Sequence, residues 1–113
     1  MSGTVTQIRD ASTFDQQVLR PARTVLVNFY ADWCPYCRRF APTFEKLADE
    51  FEGVEFAAVN VDDAPGLERQ YDIGKIPSVL LFENGREVRR WSNEQQSEPY
   101  REALHSQTAS HAA

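Results

Sequence analysis

The run Thr24-Val25-Leu26-Val27-Asn28-Phe29 is apolar at almost every position, and a few residues beyond it stand two cysteines in Cys34-Pro35-Tyr36-Cys37. Past the second cysteine, Phe40, Ala41, Phe44, Leu47, Ala48 and Phe51 recur at three- and four-residue intervals. A strand apolar on both faces, then a short connection and an amphipathic helix, calls for a sheet covered on both sides. The cysteine pair sits where strand gives way to helix. Positions i and i+3 share a helical face, so the thiols lie about one turn apart when the helix begins at Cys34. Unpaired amides and the macrodipole at that end favour an anion, and Cys34 is expected to ionise more readily than a free cysteine. A thiolate with a second thiol in reach attacks a disulfide, forms a mixed disulfide and is released by its neighbour. The chemistry this predicts is dithiol–disulfide exchange.

Other uses of two cysteines find less support in the rest of the chain. Buried cysteines are often inert packing, and a CxxC can be half of a zinc site, but structural zinc takes four ligands. His105 and His111 are the remaining candidates, toward the end of the last helix and the tail, so no metal is expected. At 113 residues the chain has room for one domain. Hydrophobic residues at 42% and charged ones at 26% argue against wholesale disorder. A formal charge of -5 argues against a general nucleic-acid binder. Met1-Ser2-Gly3-Thr4 shows no charged leader with an apolar segment behind it, and no apolar run approaches the roughly 20 residues that cross a bilayer. A cytoplasmic protein with no membrane segment is expected, and in that compartment a CxxC points to catalysis rather than to a structural staple.

Along the chain, Val5-Thr6-Gln7-Ile8 alternates as an edge strand does. Ser12 is the expected N-cap of a helix reaching about Leu19, with Phe14 and Val18 on its buried side and Pro21 ending it. Pro42 interrupts the helix after the cysteines and is expected to kink it. Residues 54–61 read as a second interior strand, and another helix opens at Pro65, where a missing amide costs little. Ile76-Pro77-Ser78 enters the strand Val79-Leu80-Leu81-Phe82, and Asn84-Gly85 joins it to residues 87–91 as a hairpin. Ser97 caps a last helix with Tyr100 and Leu104 inward. Helices between the early strands imply parallel pairing, and the hairpin adds antiparallel edge strands. The expected architecture is α/β, a mixed sheet sandwiched by helices. One domain is expected over residues 1–106, with a flexible, fraying tail over 107–113.

With these elements in this order, the chain resembles the thioredoxin family from about Val5 to Leu104. The strand leading into Ala31-Asp32-Trp33-Cys34, the internal Pro42, Asn60-Val61-Asp62, Ile76-Pro77 and Phe82-Glu83-Asn84-Gly85 carry the likeness. The resemblance implies a thioredoxin fold, a five-stranded sheet with four helices, and a cis peptide before Pro77 packed against the cysteines. It implies that Cys34 is the exposed nucleophile, Cys37 the more buried resolving thiol and Cys34–Cys37 the redox disulfide, with no bound cofactor. Trp33 and the Ile76-Pro77 edge would form an apolar rim for an extended substrate segment, paired to the backbone of Ile76 like an added strand. Arg38 would favour the thiolate and steer acidic partners. The implied partners are disulfide-containing protein substrates and a thioredoxin reductase-type electron donor, with the protein a monomer serving electron transport and redox homeostasis.

The chain departs from the family pattern in three respects. Pro35-Tyr36 stands where thioredoxins usually have Gly-Pro, and Cys-Pro-Tyr-Cys looks like the glutaredoxin active site; such changes alter thiolate stabilisation and so the redox poise. Asn28 occupies the place of a buried acid beneath the resolving cysteine, and Ala58 that of its lysine partner. Losing both charges together is coherent, because a lone buried charge is costly. Asn28 cannot accept a proton as a carboxylate does, which leaves deprotonation of Cys37 to water or another carboxylate. The Ser92-Asn93 step stands where a glycine usually lines the groove; asparagine tolerates left-handed angles, so Asn93 joins the expected substrate-binding residues. The function implied is protein disulfide reduction through Cys34 and Cys37. A glutathione-linked, glutaredoxin-like oxidoreductase is an alternative suggested by Cys-Pro-Tyr-Cys alone, and a redox-sensing binding module is another.

Overall fold

The computed structural model describes residues 4–112, with side chains as far as Gln107. Met1-Ser2-Gly3 and the side chain of His111, both used above, lie outside the described residues. Among those described, the strands are β1 (Val5–Ile8), β2 (Thr24–Tyr30), β3 (Glu55–Asn60), β4 (Ser78–Glu83) and β5 (Arg86–Ser92). The helices are α1 (Ala11–Phe14, continued by a wider π-helical turn over Asp15–Leu19), α2 (Pro35–Glu50), α3 (Pro65–Gln70) and α4 (Glu98–Ala112).

One mixed sheet has the order β1-β3-β2-β4-β5. β1, β3 and β2 run parallel because α1 and α2 carry the chain back between them, whereas β4 pairs antiparallel with β2, and β5 antiparallel with β4. The alternation of a strand divides β2 between two cores. Val25, Val27 and Phe29 enter the one that holds Phe14, Phe82 and the partly buried Tyr71. Leu26 enters the other, with Phe40, Phe44, Phe56, Trp91 and Tyr100. Edge-on ring pairs knit each core, Phe14 with Phe82 at 5.8 Å and Phe44 with Phe56 at 5.2 Å between centroids. By the same parity Asn28 faces α2, where it shares a cleft with Cys37, Ala41 and Phe44.

Local chemistry differs from the sequence expectation at the start of α1. Asp10, not Ser12, caps α1, its carboxylate accepting the Thr13 amide at 2.7 Å. Both residue types cap well, and starting at Ala11 is what lets Phe14 and Val18 both reach the core. At the other end of the chain, α4 runs over Glu98–Ala112. Residues 107–112 contain neither glycine nor proline to stop a helix, and the Gln107 amide donates to the Glu83 carboxylate. The β4–β5 turn follows the sequence: Asn84 and Gly85 have φ of 53° and 82°, as a two-residue hairpin turn demands. No helix is long and apolar enough to cross a membrane among the described residues.

Candidate active site

Cys34 is the N-cap of α2, in extended backbone, and Pro35 takes the first helical position, where its missing amide leaves nothing unsatisfied. This start turns the next amides back toward the cap. The Cys37 N–H donates to Cys34 Sγ at 3.2 Å, and the Arg38 N–H donates to the Cys34 carbonyl at 3.1 Å. A donor aimed at sulfur from the positive end of a 16-residue helix is an arrangement that stabilises negative charge there. From across the fold, the Ile76 carbonyl accepts from Cys34 Sγ at 3.8 Å, and the Ile76-Pro77 peptide is cis.

Both cysteines are free thiols, and each is 3% exposed. The expectation that Cys34 stands exposed is therefore corrected: the cap position and the Ile76 segment cover it as fully as Cys37. What separates the two is environment. Burial, followed by the hydrogen bond to Cys34, pushes the Cys37 thiol up to about 12, and the Ala31 backbone and Arg38 offset this only in part. At neutral pH Cys37 is a thiol.

Around the pair, Trp33 is 65% and Tyr36 48% exposed, a rim of aromatic surface in water. Trp33 Nε1 donates to Asp62 Oδ2 at 2.9 Å, and Asn60 Nδ2 donates to Asp32 Oδ2 at 3.3 Å. Arg38 donates to the Asp32 carbonyl at 2.8 Å, and the Arg39 guanidinium lies 5.0 Å from the centre of the Tyr36 ring. On the far side, the Asn93 N–H donates to the Pro77 carbonyl at 2.7 Å with φ of 61°, the left-handed conformation anticipated for that step. Its side-chain oxygen accepts from Gln95. Trp33, Cys34, Cys37, Ile76, Pro77 and Asn93 are thus brought together. Asn28 and Ala58 lie behind them, as direct cross-strand partners of β2 and β3.

Asp62 and Asn60 went unassigned in the sequence, although Asn60-Val61-Asp62 is a motif there. Their roles need Trp33 and Asp32 as partners, 29 and 28 residues away in the chain. Among the described residues no three His, Cys, Asp or Glu side chains converge as a metal set.

A family model described as thioredoxin matches residues 5–106. The chain belongs to the thioredoxin family. It is 38% identical to the thioredoxin of Mycoplasma genitalium over 86 residues, 76% of this chain and 83% of that one. It is 41% identical to thioredoxin 1 of a Nostoc species over 83 residues, 73% of this chain and 77% of that one. The crystal structure of Malassezia sympodialis thioredoxin superposes with a TM-score of 0.83 at 26% identity, covering 92% of this chain and 90% of that one. The thioredoxin fold and thiol–disulfide oxidoreductase activity follow from this membership. The active centre of the family is a redox-active cysteine pair and not a bound cofactor.

Proposed function

We propose that this thioredoxin-family chain works as a protein disulfide reductase, with Cys34 attacking and Cys37 resolving. The Cys34 sulfur attacks one sulfur of a substrate disulfide; the old S–S bond breaks and its electron pair leaves on the other substrate sulfur. Cys37 loses its proton and attacks Cys34 Sγ, forming the Cys34–Cys37 disulfide and releasing the second substrate thiolate, which takes a proton from water. Two electrons have then passed from the pair to the substrate. A thioredoxin reductase-type donor restores the dithiol, an electron-transport role in the cytoplasm. Trp33, Ile76, Pro77 and Asn93 receive the substrate segment; Pro35, Tyr36, Asn28 and Arg38 tune the pair. The family match over residues 5–106 supports a thioredoxin-like domain over 1–106 followed by a flexible tail over 107–113; the protein works as a monomer. The contact that carries this reading is the Cys37 amide 3.2 Å from Cys34 Sγ, one turn of helix before a second thiol. Insulin reduction driven by dithiothreitol tests it. The unaltered chain should accelerate precipitation, and Cys34→Ser and Cys37→Ser should each bring the rate to the background; equal rates for all three contradict it.

The glutaredoxin-type Cys-Pro-Tyr-Cys sequence supports a poise less reducing than the roughly -270 mV of a typical thioredoxin, since about 30 mV already shifts the equilibrium tenfold. Equilibration with glutathione should give a potential above that value by at least about 30 mV. A value at or below it contradicts the proposal.

A further inference from the structure

Behind Cys37, α2 and the sheet do not close on each other. A cleft of about 250 Å³ opens there, its walls including Gln7, Asn28, Tyr30, Cys37, Glu45 and Ala58. Ala58 stands directly across from Asn28 in the strand register, and its methyl group leaves room that a longer side chain would fill. Asn28 is only 4% exposed, yet its Oδ1 has no hydrogen-bond partner within the protein. A buried amide oxygen left dry is costly, and a polar-walled cleft of this size holds several waters at about 30 Å³ each. At the opposite wall, Gln7 donates to the Tyr30 hydroxyl at 2.6 Å.

The mouth of the cleft carries a carboxylate. Cys37, Ala41 and Glu45 follow at four-residue intervals on α2 and so share one face. Ala41 is small, and Glu45 is exposed. We propose that this cleft is a proton exit for Cys37, in which water bound to Asn28 passes the thiol proton to the Glu45 carboxylate and from there to solvent. The inference rests on the reductase reading above and supplies the step that reading leaves open. In the mixed disulfide, the Cys37 S–H bond breaks and its proton enters the water chain as Glu45 takes up a proton at the other end. The Cys37 thiolate then displaces the substrate sulfur from Cys34, and Glu45 returns its proton to bulk water. Glu45 is a positioning residue in this scheme, since it acts on Cys37 through water.

The surroundings leave few other acceptors. Of the cleft-lining residues, α2 contributes Cys37 and Glu45, and β2 contributes Tyr30; those from β1 and β3, Val5, Gln7 and Ala58, do not titrate. Burial above all holds the Tyr30 phenol above its usual range, so it stays protonated and offers no anionic base to take the proton. Arg38, the cation that acts on Cys37, donates to the Asp32 carbonyl. Because burial pushes Cys37 up to about 12, thiolate is scarce at neutral pH, and the rate of resolution depends on a path by which the thiol proton can leave.

Charge alone predicts the opposite sign. A nearby anion disfavours a thiolate, so removing Glu45 would speed resolution if it acted only through its field. Stopped-flow reaction of the dithiol protein with 5,5′-dithiobis(2-nitrobenzoate) separates the two steps, because attack and resolution each release one coloured thiolate. Glu45→Gln should slow the second phase at least about tenfold near pH 7 and leave the first within about twofold. The deficit should shrink toward pH 9 as hydroxide takes over, and formate, small enough for the cleft, should restore the rate. Asp49→Asn, an exposed charge one turn further along α2, should change neither phase. A second phase that is unchanged or faster in Glu45→Gln overturns the proposal. So does a slowing that is constant with pH and untouched by formate. An unaltered protein with no first phase overturns the reductase reading itself, and this inference with it.

Discussion

Cys34 and Cys37 have the same small exposure, and their chemistry is divided by what surrounds each sulfur. Cys34 receives an amide from the start of a helix; Cys37 sits where burial pushes its thiol up to about 12. A thiol is neutral when protonated, so a raised pKa keeps Cys37 unreactive at neutral pH, and its thiolate fraction grows tenfold per pH unit until about 12 is reached. In Cys34→Ser the largest cause, burial, remains. The alkylation rate of Cys37 by iodoacetamide in that variant should therefore climb from pH 6 to pH 10 without levelling, and a plateau near pH 8 would contradict the assignment. The pairing of the two sulfurs was legible in the spacing of Cys34 and Cys37. That the Ile76-Pro77 segment packs against the cysteines came from the family likeness, since Ile76 is 42 residues from Cys34; that Cys34 is buried as fully as Cys37 was not legible. Asn28 and Ala58 could be recognised as departures from the family pattern. That they face one another across β2 and β3, and leave a cleft, depends on strand register.

Among the elements, the β4–β5 hairpin was the most readable, since Asn-Gly after the apolar run Val79–Phe82 specifies a turn with φ positive at both residues. Its contact with α1 was not readable. A Cβ built on Gly85 would lie 2.2 Å from the Leu19 carbonyl oxygen, so the turn packs against the end of the π-helical turn with no room for a side chain. Gly85→Ala combines that clash with a left-handed φ and should lower stability by about 2 kcal/mol. Urea unfolding measures it; a midpoint unchanged from the unaltered chain would contradict the packing. The start of α1 shows why element ends are harder to read than their existence. Asp10 and Ser12 both have capping side chains, and tertiary burial of Phe14 and Val18 decides between them.

At the scale of the whole molecule, the fold was legible because β2, β3 and β4 are apolar on both faces and helices separate the parallel strands. The position of β3 between β1 and β2 was not contained in any local pattern. Assembly of the site depends on that order. It brings the β2–α2 junction, the Asn60–Asp62 segment, the cis Ile76-Pro77 peptide and Asn93 into one neighbourhood, with the cleft behind. Two core clusters, with β2 divided between them, hold these segments in place. The central claim is a division of labour between two sulfurs, and one measurement addresses it directly. Cys37→Ser and Cys34→Ser proteins are each mixed with a disulfide-bonded peptide at neutral pH and the adducts mapped by mass spectrometry. Cys37→Ser should hold the peptide as a mixed disulfide on Cys34, and Cys34→Ser should hold almost none. Equal capture by the two variants, or capture through Cys37 alone, would contradict the account.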